Sequence, residues 1–209
     1  MFDFDLMSMV AGIPGLIIAL AIHEYAHALV ADRLGDPTPR MMGRLTLNPV
    51  AHIDPIGLIM LFVARFGWAK PVMIDPSNFR NWRTGEIWVA LAGPTSNLLI
   101  GFLAAFIQIL CYRLGFWSSG LNIVITLIII YNVNFAIFNL IPLPPLDGSK
   151  LLLAFLPNQW AEKMAMIERY SFLILIALMM TPVFSMILVP LSRLVLSVYS
   201  MILGIFFLM

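Results

Sequence analysis

Long apolar runs separated by short polar stretches dominate this chain of 209 residues. Measured against the roughly 20 residues needed to cross a bilayer, they predict membrane-spanning helices near 8–31, 85–112 and 120–141. The apolar run from Ile167 to Met209 exceeds one crossing. Pro182 and Pro190 bracket a predicted break in it, giving helices near 166–182 and 187–208. Ile56–Phe66 is too short to span, and Asp54-Pro55 before it suits a helix start, so it reads as a re-entrant or interfacial helix. Between the first two spans, Arg44-Leu45-Thr46-Leu47-Asn48 alternates polar and apolar residues. That is the pattern of a half-exposed strand able to pair with an unwound peptide, or of an ordinary edge strand or loop. The hydropathy pattern as a whole predicts an all-α polytopic membrane protein with about five transmembrane helices.

Composition sharpens the class. Apolar residues make up 61% and charged residues 11% of the chain, and mean hydropathy is +0.96, far from a soluble domain. Little polar sequence remains outside the apolar segments, so residues 1–209 read as one integral membrane domain. Its core is expected over about 8–156, with C-terminal hydrophobic helices over about 166–208. A net charge of +1 argues against nucleic acid as a ligand. Cys111 is the only cysteine, which excludes an internal disulfide. The opening MFDFD is acidic rather than basic, so the first apolar segment is expected to stay as a span. Seven of the 12 basic residues, Arg33, Arg40, Arg44, Arg65, Lys70, Arg80 and Arg83, fall between the first two spans and mark that side as cytoplasmic. The N-terminus is then outside, in what is expected to be the cell (inner) membrane of a prokaryote.

Against this background the polar residues inside the spans are conspicuous. His23, Glu24 and His27 form HExxH near the end of the first span. Ionisable groups at bilayer depth are costly and imply a ligand, a partner or a polar cavity. Residues four apart share a helix face, so both imidazoles reach one metal ion with Glu24 beside them. His23 falls roughly 12–14 Å along the axis from the cytoplasmic end near Asp32, at about 1.5 Å per residue. A catalytic zinc usually takes three protein ligands and keeps one position open. Asp147, in NLIPLPPLDGSK, is the leading third ligand, though Asp147-Gly148 also suits a turn or a helix cap. His52, in LNPVAHIDPIG, is the other choice. If it does not coordinate, it offers a hydrogen bond to a reacting carbonyl oxygen or anchors its loop. Asn139 offers an amide donor to the same oxygen, or satisfies a backbone break.

The joint occurrence of HEYAH, LNPVAHIDPIG, GWAKPV, AGPTSN and NLIPLPPLDG, in this order between about residues 13 and 156, resembles the site-2 protease family of zinc intramembrane metalloproteases. The resemblance implies one catalytic zinc ion on His23, His27 and Asp147, Glu24 as general base, and Asn139 with His52 near the scissile carbonyl. It implies single-span membrane proteins or peptides as substrates within the lipid bilayer. It also implies a small membrane-associated β-sheet built from segments 40–50 and 67–75. The chain resembles the minimal type, without PDZ or CBS domains, and carries Ser149 where many relatives have the second glycine of LDGG. A membrane transporter or sensor using the same zinc ligands is the rival reading. Gly93-Pro94 and Gly101 are expected to let the second span pack closely on the first.

Overall fold

The computed structural model describes residues 6–64, 67–157 and 159–207. Helix α1 (Leu6–Arg33) is followed by a short helical turn, α2 (Thr38–Met41), and by α3 (Pro55–Ala64). Helices α4 (Trp82–Arg113) and α5 (Ser119–Asn139) come next, then α6 (Asp147–Phe155), α7 (Gln159–Glu168), α8 (Ser171–Met179) and α9 (Pro182–Phe207). Four of these, α1, α4, α5 and α9, are long and apolar enough to cross a membrane. α3 is the short apolar helix expected near 56–66, of which residues 65 and 66 lie outside the described set.

The expectation of about five spans fails in the C-terminal region. The expected span at 166–182 is instead α7 and α8, of 10 and 9 residues, and neither is long enough to cross. Glu168, Arg169 and Tyr170 interrupt the apolar sequence between them. Pro182 does begin a helix, where its missing N–H costs nothing, but Pro190 sits inside α9 rather than ending a break. In a membrane helix a single lost backbone bond is tolerated more readily than an exposed loop.

The expected sheet is also absent among the described residues. Residues 38–41 are helical, 49–51 form a 3-10 turn, and a single antiparallel bridge joins Ile53 to Ala69. Side chains occupy the carbonyls that a ladder would need. Arg44 donates to the Ala51 carbonyl, and the His52 Nε2–H donates to the Thr46 carbonyl at 2.8 Å. Pro49 has no N–H to offer. The Arg44–Asn48 alternation therefore marks a clamped loop. A second clamp is Asp36, fully buried, whose carboxylate accepts from the Thr38 N–H and hydroxyl, the Asp75 N–H and the Asn78 amide. Burial alone would raise the Asp36 pKa, but these four donors hold it below the usual carboxylate range.

Helices α1, α4 and α5 pack on one another, with α6 against α4 and α9 against α5. The contacts are made close by small residues: Ala19, Ala28 and Ala31 of α1 are essentially without exposure. At Gly15 an added Cβ would lie 3.0 Å from the Leu127 carbonyl oxygen, so the α1 and α5 backbones nearly touch. Gly101, expected against α1, instead faces Val133 of α5 and Tyr199 of α9. Tyr199 joins Ala104, Ile125, Ile129, Val133 and Ile137 in the core, and its hydroxyl donates to the Leu98 carbonyl. Leu99, Leu103 and Ile107 on α4, and Leu194 and Met201 on α9, point outward as lipid-facing side chains do.

Candidate metal centre

His23 and His27 occupy one face of α1, and Asp147 reaches them from the first turn of α6. All three are buried. The two Nε2 atoms are 3.0 Å apart, and each stands 3.0–3.1 Å from the Asp147 Oδ2. Among the described residues these three form the one cluster with metal-ligand geometry. Asp147 is not the helix cap its sequence also allowed. Leu146 holds that position, with no side-chain capping bond.

The surroundings fix where the imidazole protons are. The His27 Nδ1 lies 2.7 Å from the Val89 carbonyl oxygen, which can only accept, so Nδ1 carries the hydrogen. The His23 Nδ1 lies 2.7 Å from the Asn97 Oδ1. The Asn97 amide nitrogen donates to the Ala19 carbonyl and to the Asn132 Oδ1, which sets its orientation and makes the His23 Nδ1 a donor as well. As neutral imidazoles, both rings then turn an Nε2 lone pair toward the Asp147 Oδ2, a buried oxygen with no hydrogen-bond partner among the described residues. In that state three lone-pair atoms converge within 3.1 Å of one another. Such a group is repulsive without a cation and favourable with one.

Zinc fits this donor set. Two imidazoles and a carboxylate are usual ligands, and a tetrahedral ion about 2.0–2.1 Å from each holds them about 3.3 Å apart, close to the separations seen. The Nδ1 bonds to Val89 and Asn97 supply the outer support that such ligands require. Asn97 was not among the residues chosen for chemistry from sequence, although it closes the AGPTSN motif. An amide residue inside an apolar span, four residues after Gly93, is the signal the sequence carries. Asn97→Ala is expected to raise the zinc dissociation constant about 10–100-fold, as measured by competition with a chelator, because His23 loses its orienting acceptor.

Gly93 of α4 faces the rings directly. An added Cβ would lie 2.4 Å from the His27 Nε2 and 2.5 Å from the His23 Cε1. Glu24, also buried, accepts a hydrogen bond from the Val72 N–H at 3.0 Å, which holds its carboxylate beside the cluster. His23 and Glu24 open into a cavity of about 410 Å³ lined largely by apolar side chains, among them Leu16, Leu20, Trp68, Phe135, Phe138 and Phe172. Asn139, the last residue of α5, lines the same cavity and donates to its own Phe135 carbonyl. His52 does not line it: its ring is fully buried and tied to Thr46 in the clamped loop. The fold thus brings five of the six chosen residues to one place and leaves His52 behind the wall.

A buried pair of histidines with an adjacent glutamate, a distant aspartate and an apolar cavity among membrane helices defines a membrane-embedded metallohydrolase. The model of peptidase family M50 matches residues 111–182. The "Putative zinc metalloprotease YwhC" of Bacillus subtilis (strain 168) is 39% identical over 180 residues, covering 84% of this chain and 82% of that protein. The "Putative zinc metalloprotease Rip2" of Mycolicibacterium smegmatis is 31% identical over 178 residues, 81% of this chain and 66% of its own length. No solved structure matches significantly. The chain belongs to peptidase family M50, the site-2 protease family, and is an integral membrane metalloprotease.

Proposed function

We propose that this protein hydrolyses peptide bonds within or near the transmembrane segments of membrane-anchored proteins, with zinc held by His23, His27 and Asp147. The observation that carries this reading is the convergence of three buried lone-pair atoms beside a carboxylate, at the wall of an apolar cavity among membrane-spanning helices. Bound there, zinc supplies Lewis-acid polarisation of a carbonyl and activation of water. The rest of the chemistry belongs to side chains of the chain. Glu24, held by the Val72 N–H, accepts the proton of the attacking water and returns it to the leaving amide nitrogen. Asn139 stands at the cavity wall as an amide for the carbonyl oxygen of the substrate. His52 buttresses the loop that carries the Ile53–Ala69 bridge.

The N-terminus lies outside in this reading, and the metal sits nearer the cytoplasmic side, because the basic residues cluster between α1 and α4. The chain acts as one domain, with α1 to α6 carrying the chemistry. A substrate helix hides its carbonyls in its own hydrogen bonds, so it must open locally before reaching the centre. The extended backbone from Gly67 to Pro71 borders the cavity and suits an opened peptide better than a helix. Placing Gly or Pro beside the cleaved bond of a single-span substrate is expected to raise cleavage in proteoliposomes about 3–10-fold, following a weakening of that turn by about 1 kcal/mol or more. Equal cleavage of a helix-stabilised and a helix-weakened substrate would contradict the reading.

A further inference from the structure

Arg193 lies on α9, twelfth of the 24 residues in the span Pro182–Ile205, and is exposed. It stands eleven positions from the nearer helix end, about 16 Å at 1.5 Å per residue, farther than its own side chain reaches along the helix. Among the described residues its guanidinium has no acceptor and no carboxylate partner. An arginine at this depth is costly, and such residues pair with something.

Arg193 borders a recess of about 190 Å³ between α5 and α9, with apolar walls from Val133, Leu188 and Leu196. Asn134 and Ser192 line the same recess, and the Ser192 hydroxyl donates to the Asn134 Oδ1 at 2.6 Å. The Asn134 amide nitrogen and the Arg193 guanidinium are the N–H donors that border the recess. The recess shares no lining residue with the cavity at the metal centre. Neither α5 nor α9 contains an acidic residue, so the same face of a second copy has no carboxylate to return.

We propose that the α5–α9 face is a docking site for a partner transmembrane helix that carries an Asp or Glu near its midpoint. The carboxylate pairs with Arg193 and accepts from Asn134, while flanking apolar side chains enter between Val133 and Leu196. Charge complementarity selects the partner: an arginine at mid-span with no acceptor among the described residues, bordered by an amide donor and apolar walls, fits an anion delivered by a membrane helix.

The full-length protein in phosphatidylcholine vesicles, with a fluorescent donor on Cys111, tests this by energy transfer to single-span peptides that carry the acceptor. One leucine-rich peptide carries a central Glu and the other a central Gln. The native protein is expected to bind the Glu peptide at least tenfold more tightly. Arg193→Leu is expected to remove that preference, with zinc content retained as a sign of folding. Arg193→Glu is expected to create a matching preference for a peptide with a central Arg, which keeps the test decisive if the leucine variant does not fold. A preference below tenfold in the native protein, or one that survives Arg193→Leu, overturns the proposal. So does finding that phosphatidylglycerol, and not the Glu peptide, occupies the face in an Arg193-dependent way, as read by the added quenching that brominated lipid produces in Leu194→Trp.

Discussion

Glu24→Gln is expected to keep full zinc occupancy while kcat for cleavage of a single-span substrate falls about 10²–10⁴-fold, the usual contribution of a positioned general base. Glutamine preserves the size of the side chain and the oxygen that accepts from the Val72 N–H, so the wall of the cavity stays as it is. His23, His27 and Asp147 are untouched, and their mutual 3.0–3.1 Å spacing does not depend on Glu24. What the amide cannot do is take a proton from water and return it to nitrogen. Metal analysis alongside cleavage assays separates the two readings of the site. A transporter or sensor needs ligands but no base, so zinc movement that persists in Glu24→Gln, with no proteolysis in the native protein, would favour that rival.

Gly93→Ala is expected to lower zinc affinity at least about 100-fold and to remove activity with it. The added methyl would fall 2.4 Å from the His27 Nε2 and 2.5 Å from the His23 Cε1, far inside contact distance. Neither ring can simply swing away, because each Nδ1 is fixed at 2.7 Å from its acceptor, Val89 in one case and Asn97 in the other. The rings must give up those bonds or the metal position. Gly101→Ala is the matched control on the same helix. There the nearest atoms, the Tyr199 hydroxyl and a Val133 methyl, are 3.3 Å from the added carbon and can shift slightly, so zinc affinity is expected to stay within about threefold. Native zinc binding by Gly93→Ala would show that α4 does not constrain the histidines.

Sequence made much of this legible because lipid restricts what polar residues can do. Spans α1, α4 and α5 follow directly from apolar length, and the HExxH motif on α1 names two proposed ligands and the proposed base. Asp147 needed more, since nothing local separates a ligand from a helix cap, and only packing of α6 against α4 brings its carboxylate to the imidazoles. Asn97 escaped notice as a positioning residue because its partners are 74 residues away at His23 and 78 away at Ala19. The C-terminal region misled by its average hydropathy: Glu168-Arg169-Tyr170 divides it, while Pro190 does not. The β-sheet failed for a different reason. Alternation at Arg44–Asn48 looks the same whether backbone groups pair with another strand or with Arg44 and His52 side chains, and here the side chains hold them.

X-ray absorption at the zinc edge, recorded on the full-length protein in lipid for the native chain and for Asp147→Ala, tests the centre most directly. The native spectrum is expected to show one zinc per chain with two imidazole nitrogens, further light-atom ligands at about 2.0–2.1 Å and no sulfur. Asp147→Ala is expected to lose the metal or a light-atom ligand. A native protein without stoichiometric zinc, or an Asp147→Ala spectrum identical to the native one, would contradict it.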